Sequence, residues 1–392
     1  MIRSNIIILG AGVIGCATAW HLAKKGAKSI LVLEREKGLG LGTTGKATGG
    51  YRAQFGTEIN VRLSLLSRRQ LLAFKDDTGV DPGYLPAGYI FLATEPSHLA
   101  ELRTGIAMQR RNGLAEVREV SPKDIAELNP AVALDGILGG SFCPTDGFVK
   151  PLEILRGCYE AAQRQGVTFE LDCGPARPLL SGVPPHRRVL SIETSKGRFE
   201  ADTFVNCTGP WAGVVGAASG LSIPVWPMRR QVALTHPFPD LPTTMPLTID
   251  CGDGFHTRVR DDGRVLLLKP TETHHADPFD ITFDSGAWLD GLLQSAHRRI
   301  PCLARATLDP SLHRAGLYEM SPDKHALLGR APGCQNLYLA NGNSGHGVMH
   351  SLAEALLLSE LILDGHSHTL DIHPLRPTRF AEGDPLPTVG VI

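Results

Sequence analysis

Residues 6–15 read Ile6-Ile7-Ile8-Leu9-Gly10-Ala11-Gly12-Val13-Ile14-Gly15, a short apolar run that leads into three closely spaced glycines. A helical pattern follows to about Lys25, and a second apolar run at 30–33 ends at Glu34. A strand, a glycine turn, a helix, a strand and an acid about twenty residues past the last glycine form a dinucleotide-binding βαβ unit. The helix N-terminus favours phosphate charge. The segment predicts a bound dinucleotide, but alone it does not choose between nicotinamide and flavin.

The length and composition of the chain exclude several classes of protein. The 392 residues are enough for two domains, and 42% hydrophobic with 20% charged residues is typical of a folded chain. Lys plus Arg (39) nearly balances Asp plus Glu (40), so we expect no nucleic-acid partner. No run of about 18 apolar residues occurs, so no transmembrane segment is predicted. The eight cysteines are scattered without close pairs, which favours reduced thiols and a cytoplasmic protein.

The order of patterns along the chain predicts two domains. After Glu34 come a glycine-rich loop at 38–50 and a helix at about 58–76, and the region 224–269 is rich in strands. A strand, glycine loop and helix return at 337–363. We predict an α/β fold in which a Rossmann-type domain is built from 1–80, 145–215 and 320–370. An α+β domain with a mostly antiparallel sheet would be inserted as 81–144 and 216–319, and 371–392 would form an extended tail.

Further motifs indicate a family. They are Gly42–Gly50 running into Tyr51-Arg52-Ala53-Gln54-Phe55, then Phe204–Ala212, Pro227–Gln231, Gly316–Asp323 and Asn343–Met349. In this order the chain resembles the FAD-dependent amine and amino-acid oxidoreductases that include D-amino-acid oxidase, glycine oxidase and sarcosine oxidase. The resemblance covers roughly residues 5–365. Within the family it is strongest to sarcosine oxidase β-subunit-like and proline dehydrogenase β-subunit-like proteins, on the segments 49–58 and 343–349.

The resemblance implies an FAD site in the first domain and a substrate site in the inserted one. Members with covalent flavin use a cysteine or a histidine near the positions of Gly316 and Lys46, so non-covalent FAD is expected here. A helix that starts near Gly347 would direct its positive end at charge on the reduced flavin. The residues implied to hold FAD are Gly10, Gly12, Val13, Ile14, Gly15, Glu34, Arg35, Thr43, Thr44, Lys46, Ala47, Thr48, Gly49, Gly50, Ala176, Thr208, Gly209, Trp211, Gly316, Gly345, His346, Gly347, Val348 and Met349.

The implied reaction is hydride transfer to flavin N5 from the carbon next to an amine, giving an imine that water hydrolyses. The substrate would be a small amino acid or secondary amine, and the electrons would pass to oxygen or another acceptor. Arg52 is the predicted clamp for a substrate carboxylate, because a guanidinium offers two parallel donors. Strand alternation puts His256 and Arg258 on one face of a strand, from which either could reach the substrate side of the flavin. Tyr318, His346 and Lys269 are further catalytic candidates.

One departure from the family concerns the substrate. Oxidases of the monomeric sarcosine type have a lysine in the helix-entry loop where this chain has Met349. The usual second contact to the carboxylate is therefore in doubt, and so is the usual small N-methyl amino acid as substrate.

Three alternatives stay open at this point. The chain is also compatible with the flavin subunit of a hetero-oligomeric dehydrogenase, which needs a partner subunit, or with a flavin-bearing assembly factor without turnover. A nicotinamide-only dehydrogenase is a weaker option.

Two other interpretations are not favoured. A serine hydrolase is unsupported, because His346 stands where the nucleophile elbow needs its final glycine. No metal site is predicted, because His274, His275 and the histidines of the tail lack partners at ligand spacing.

Overall fold

A computed structural model describes residues 2–183, 186–270 and 277–388 of the chain. Over these residues the chain forms two large sheets, one small sheet and the helices that cover them. The α-helices are α1 (Val13–Lys24), α2 (Glu58–Thr78), α3 (Pro96–Arg111), α4 (Pro122–Leu128), α5 (Pro151–Arg164), α6 (Ala212–Ala217), α7 (Ala287–Arg299) and α8 (Gly347–Asp364). The strands are β1 (Ile2–Leu9), β2 (Ile30–Leu33), β3 (Gly50–Tyr51), β4 (Tyr89–Ala93), β5 (Arg118–Val120), β6 (Gly139–Cys143), β7 (Gly147–Phe148), β8 (Thr168–Glu170), β9 (Arg177–Ser181), β10 (Arg188–Thr194), β11 (Gly197–Asn206), β12 (Trp226–Pro237), β13 (Leu247–Asp250), β14 (His256–Val259), β15 (Arg264–Leu268), β16 (Arg314–Met320), β17 (Leu327–Arg330) and β18 (Leu337–Asn341).

The first sheet has β1 at its centre. Its strands run in the order β17-β18-β11-β1-β2-β8, with β10 and β9 added beside β11. β18, β11, β1, β2 and β8 are parallel, and β17 and β10 are antiparallel to their neighbours. Alternation in β1 buries Ile6 and Ile8 in the core that contains α1 and α8, and Ile7 and Leu9 in the core on the opposite face. Burial on both faces explains the uninterrupted apolar run.

The second sheet is mostly antiparallel. Its order is β16-β12-β15-β14-β13-β4-β6-β5, and among its described strand pairs β13 and β4 are the parallel one. Its core includes Ile90, Phe255, Leu267 and Leu292. The predicted α/β fold with a mixed, largely parallel sheet and a separate antiparallel sheet is therefore confirmed.

The two sheets use different parts of the chain. Strands of the first lie within 1–80, 145–215 and 320–370, and strands of the second lie within 81–144 and 216–319, apart from the last residue of β16. The domain boundaries themselves stay a prediction. In the described part of the chain, no helix is both long enough and apolar enough to cross a membrane.

The prediction of an extended tail at 371–392 is wrong for its first part. Residues His373–Leu375 and Pro377–Phe380 form two short 3-10 helices. The Arg379 side chain is fully buried there and makes two hydrogen bonds of 2.8 Å with the Asp323 carboxylate. Proline content predicts irregular backbone, but it does not reveal a long-range ion pair that folds the segment against the protein.

Candidate active site

A cavity of about 650 Å³ extends from the turn between β1 and α1 to the second sheet. Its wall contains Gly10 and Gly12 of that turn, Gly345 and His346 at the start of α8, and Arg52. Every predicted cofactor residue lines this cavity except Gly15. The chain thus brings segments more than 300 residues apart to one site.

The glycine turn closes only because side chains are missing. Gly10 has φ +97°, and a Cβ on it would lie 2.5 Å from the Cys207 carbonyl oxygen. A Cβ on Gly15 would lie 1.9 Å from the Gly10 carbonyl oxygen, so Gly15 packs behind the turn and does not border the cavity. The nearest atom to a Cβ on Gly12 is Thr44 Oγ1 at 3.4 Å. Gly12 therefore leaves space in the cavity for a ligand to approach the backbone.

Glu34 is held at the end of β2 in a fixed position. Its carboxylate accepts hydrogen bonds from the Ala11 N–H at 2.7 Å and the Glu36 N–H at 2.9 Å. The adjacent Arg35 guanidinium stacks 4.0 Å from the Trp211 ring centroid. The Glu34 carboxylate suits the ribose hydroxyls of a dinucleotide. The flat pair of Arg35 and Trp211 beside it suits the adenine ring.

The loop after β2 covers the turn. Thr44 Oγ1 accepts a hydrogen bond of 3.1 Å from the Val13 N–H, which ties the loop to the start of α1. The Lys46 ammonium donates a hydrogen bond of 2.8 Å to the Leu41 carbonyl, which belongs to the same loop. The Lys46 stem fills the space beside Gly316, where a Cβ would lie 3.1 Å from Lys46 Cβ.

Helix α8 begins at the cavity wall. Gly345 has φ +95°, and a Cβ on it would lie 2.4 Å from the Tyr318 ring, so this entry requires glycine. The first residues of α8, Gly347 to Met349, border the cavity. A helix N-terminus carries unpaired N–H groups and partial positive charge, which stabilise an anionic ring edge. The turn, the Glu34 carboxylate and this helix end fit FAD.

The part of the cavity next to the second sheet contains both polar and apolar side chains, and we call it the substrate end. It is defined by Arg52, Tyr89, Arg230, His256, Tyr318 and His346. The Arg52 guanidinium lies 4.5 Å from the Phe55 ring centroid and 5.4 Å from that of Phe91. Burial lowers the pKa of Arg52.

A buried carboxyl fixes the segment that carries Arg52. Asp146 is fully buried and accepts hydrogen bonds from the Ala53 N–H at 2.7 Å and the Gln54 amide at 3.0 Å. Burial raises the pKa of Asp146 to about 6, against the opposing effect of these donors. The Arg52 backbone is therefore held by a residue about 90 positions away in the chain.

Burial favours the neutral form of the two histidines of the substrate end by lowering their pKa. Burial, and then the charges of Arg52 and Arg230, lower the pKa of His256 to about 4. Its Nδ1 donates to the Gly254 carbonyl at 2.9 Å, which assigns the proton to that nitrogen and leaves Nε2 as an acceptor. Burial also lowers the pKa of His346, whose ring lies 4.7 Å from that of Phe55.

The charged groups of two predicted catalytic residues, Arg258 and Lys269, are engaged with other protein groups and not with the interior of the cavity. Arg258 does not line the cavity, because its guanidinium stacks 4.0 Å from the Phe148 ring centroid and donates to the Gly49 carbonyl at 3.5 Å. Lys269 borders the cavity, but its ammonium contacts Asp253 at 3.3 Å and Ser295 at 2.9 Å, neither of which does. The predicted roles of these two residues in the chemistry do not match their contacts.

Sequence reasoning did not predict several polar residues of the cavity, four of which lie near the second sheet or the α8 entry. Tyr89, Arg230 and Lys324 line it, and Glu319 lies beneath the loop before α8, accepting from the Gly342 N–H at 3.1 Å. Burial raises the pKa of Glu319 to about 7. Alternation in a strand makes Arg229 and Arg230 face opposite sides, so the sequence indicated that one of the two faces the cavity but not which one.

The described part of the chain contains no group of three or more His, Cys, Asp or Glu side chains that could hold a metal ion. His274 and His275 lie outside the described residues.

The fold and the cavity together define a class, a two-domain protein with a Rossmann-type dinucleotide site that opens onto an antiparallel sheet. Residues 5–361 match the family described as DAO, FAD dependent oxidoreductase. The chain therefore belongs to this family, and membership implies an FAD cofactor.

Individual proteins are similar over nearly the whole chain. FAD-dependent oxidoreductase domain-containing protein 1 of Bos taurus is 29% identical over 423 residues, covering 97% of this chain and 86% of that protein. Mitochondrial dimethylglycine dehydrogenase of Rattus norvegicus is 29% identical over 398 residues, covering 97% of this chain and 45% of that protein. The crystal structure of L-proline dehydrogenase from P. horikoshii aligns with a TM-score of 0.85 at 24% identity, covering 98% and 100% of the two chains. This last likeness concerns the fold.

Proposed function

We propose that the protein is an FAD-dependent enzyme that oxidises the C–N bond of a small amino acid or secondary amine. The observation that carries the proposal is the Arg52 guanidinium, which lines the same cavity as the glycine turn and the α8 N-terminus. Bound FAD supplies a hydride acceptor for the carbon next to the amine nitrogen. The similar dimethylglycine dehydrogenase is named for an amino acid with methyl groups on its nitrogen, which supports this substrate class.

Different residues of the substrate end bind the substrate and accept its proton. Arg52 pairs with the substrate carboxylate and so fixes the α-carbon relative to the cofactor. The neutral His256 presents Nε2 as an acceptor for the proton that a substrate ammonium must lose before oxidation. Leu247, Ile249 and Met228 also line the cavity and exclude water around the reacting carbon.

We also propose that FAD is bound without a covalent link. Lys46 is engaged with its own loop through the Leu41 carbonyl, and Gly316 offers no side chain for attachment. Acid precipitation of the purified protein is then expected to leave the flavin in the supernatant.

Anaerobic spectroscopy of the purified holoprotein tests the activity. Amino acids and N-alkyl amino acids of the active class are expected to bleach the flavin absorbance near 450 nm, roughly. Arg52→Gln is expected to slow bleaching by about tenfold to a hundredfold while FAD stays bound, because the clamp contributes a charge-assisted pair. Arg103→Gln, on the exposed surface of α3 where Arg103 pairs with Glu119, is the matched control.

The outcomes separate the possible functions. Bleaching that air reverses with formation of peroxide identifies an oxidase. Bleaching that persists in air but is reversed by an artificial acceptor identifies a dehydrogenase, including the flavin subunit of a larger complex. No bleaching by any amine contradicts the proposal and favours a flavin-bearing assembly factor.

A cytoplasmic location is a separate proposal. All eight cysteines are free thiols, and seven of them are buried, which suits a reducing compartment. Fractionation of the source cells tests it, and recovery in an oxidising compartment would contradict it.

A further inference from the structure

A buried carboxyl group lies at the cavity wall, below the entry of α8. Glu319 is 7% exposed, and its two oxygens accept hydrogen bonds of 3.1 Å, one from the Asn343 side-chain amide and one from the Gly342 N–H. A Cβ on Gly347 would lie 3.5 Å from Oε1 of this carboxyl group, and a Cβ on Gly209 would lie 3.9 Å from Oε2. Glu319 and both glycines line the cavity. The absence of side chains at 209 and 347 therefore leaves the carboxyl group close to a ligand at the start of α8.

A second carboxyl group, that of Glu354, is fully buried further along α8. Neither of its oxygens has a hydrogen-bond partner with full geometry among the described residues, and the same holds for Oδ1 of Asn343. The Asn343 amide acts on both carboxyl groups, and the charge of Glu319 acts on Glu354. Buried polar atoms are nearly always paired, with protein or with ordered water. We call Glu319 and Glu354 the carboxyl pair, and its unpaired oxygens indicate bound protons or buried water.

The surroundings of the carboxyl pair favour its protonated forms. The elements packed against β16 and α8 provide no described Lys, Arg or His that acts on either carboxyl group. The Cys207 thiol after β11 also interacts with the pair, but burial raises its pKa, so it stays neutral. Burial raises the pKa of Glu319 to about 7, and burial and then the charge of Glu319 raise that of Glu354 to about 8. Near neutral pH a change of charge nearby therefore changes the protonation of the pair.

The carboxyl pair and a reduced cofactor lie at the same helix end. The N-terminus of α8 favours negative charge, and one negative charge in a buried site disfavours a second. An ionised Glu319 therefore opposes negative charge on a bound cofactor, and the negative charge of a reduced cofactor raises the affinity of Glu319 for a proton. Such a linkage is reciprocal, so protonation of Glu319 favours reduction.

We propose that Glu319, with Glu354 behind it, takes up one proton from water when two electrons reach the bound cofactor, and releases it when the cofactor is oxidised again. The inference rests on the proposed function for the source of the electrons. The substrate supplies two electrons and one proton as a hydride from its carbon, which adds one negative charge to the site, and the proton on Glu319 cancels that charge. The carboxylate becomes a carboxylic acid and no other bond changes. Glu354 keeps its own proton, which prevents a second negative charge at the pair.

Redox titration of the FAD-loaded protein with dithionite tests the inference without any substrate. The flavin midpoint potential is measured from about pH 5.5 to about pH 9. Near pH 5.5 Glu319 is protonated in both redox states, so the wild type and Glu319→Gln are expected to have the same slope of potential against pH. Above about pH 7 the wild-type potential is expected to fall more steeply, by up to one proton per two electrons. That is tenfold in the equilibrium constant, or about 30 mV, per pH unit.

Further variants locate the proton. Glu354→Gln keeps the neighbour neutral and is expected to retain the steeper wild-type slope, and Glu319→Asp is expected to retain part of it. Glu119→Gln, which removes an exposed carboxyl of β5 paired with Arg103, is the control and is expected to match the wild type. Infrared difference spectra near pH 8 follow the carboxyl group directly. Reduction is expected to add a protonated-carboxyl band in the wild type but not in Glu319→Gln.

Other results would overturn the inference. Equal slopes of the wild type and Glu319→Gln above pH 7 show that Glu319 takes up no proton, and loss of the steeper slope in Glu354→Gln alone assigns the proton to Glu354 instead. If Glu319→Gln fails to bind FAD, the wild-type infrared spectrum decides, because reduction without a new protonated-carboxyl band contradicts the proposal. Failure of the proposed function is a separate result: no amine bleaches the flavin, whereas dithionite still reduces it.

Discussion

Glu354 is a fully buried carboxyl on α8, and neither of its oxygens finds a partner with full hydrogen-bond geometry among the described residues. Burial and then the neighbouring Glu319 raise the pKa of Glu354 to about 8, against a smaller opposing effect of the Asn343 amide. The folded state therefore favours the protonated form. Such a group stabilises the fold at low pH, and this contribution is lost as pH rises from the unfolded pKa, about 4.5, through the folded value.

Glu354→Gln mimics the protonated form at every pH. We expect the variant to be more stable than the wild type by about 1.4 kcal/mol near pH 5.5, because that pH lies about one unit above the unfolded pKa, and by a larger margin of a few kcal/mol, roughly, near pH 8.5. Thermal melts at the two pH values measure the difference. Glu360→Gln on the same helix is the control, because hydrogen bonds from 368–369 lower the pKa of Glu360 despite partial burial, so its loss is expected to destabilise at both pH values. An equal shift at both pH values for Glu354→Gln would contradict the argument.

At the scale of one element, the glycines of the β1–α1 turn have different roles. Gly10 and Gly15 are required by the backbone packing of the turn, whereas Gly12 leaves space for the cofactor. Gly12 has φ −70°, and a Cβ on it would meet only Thr44 Oγ1, at 3.4 Å, whereas a Cβ on Gly15 would meet the Gly10 carbonyl oxygen at 1.9 Å. We expect Gly12→Ala to change apoprotein stability by less than about 1 kcal/mol but to weaken FAD binding tenfold or more, roughly, by blocking the pyrophosphate.

Gly15→Ala is the contrasting variant of the same turn. It is expected to destabilise the apoprotein by about 1–3 kcal/mol or more through steric overlap, and to weaken FAD binding as a consequence. Apoprotein melts and titration with FAD, followed by quenching of flavin fluorescence, measure the two effects. Wild-type FAD affinity in Gly12→Ala would show that the pyrophosphate lies elsewhere.

The sequence predicted those elements whose motifs consist of neighbouring residues. It did not predict the orientation of individual side chains. The βαβ unit carries its information in adjacent residues, and the loop and α8 entry follow recognisable glycine patterns, so the dinucleotide site was found. Alternation placed His256 and Arg258 on one face of β14 but did not show that Arg258 reaches Phe148 and Gly49 instead of the cavity. Choosing Arg230 over Arg229 requires the β12–β16 register, which is set by residues about 90 positions apart.

At the scale of the whole molecule, the tail packs against the loop between β16 and β17, and this loop contacts the entry to α8. Arg379 binds Asp323 on the loop between β16 and β17, and also donates to the His325 carbonyl at 3.0 Å. The His325 ring in turn lies 2.8 Å from Thr57 Oγ1 at the start of α2. This loop adjoins Ser344 through the Ser321 N–H at 3.2 Å, so the tail supports the cavity wall from behind.

Breaking the buried pair tests this support. Arg379→Met leaves the Asp323 carboxylate, which is 2% exposed, without its guanidinium, and is expected to destabilise the protein by about 3–5 kcal/mol. Removing the second charge as well, in Arg379→Met with Asp323→Asn, is expected to recover part of that loss because no unpaired charge remains buried. Arg103→Met, which breaks an exposed pair with Glu119, is the control and is expected to cost less than about 1 kcal/mol. Denaturant unfolding measures the free energy of unfolding of all three variants. If Arg379→Met lowers this free energy no more than Arg103→Met does, the contacts of the tail do not stabilise the protein.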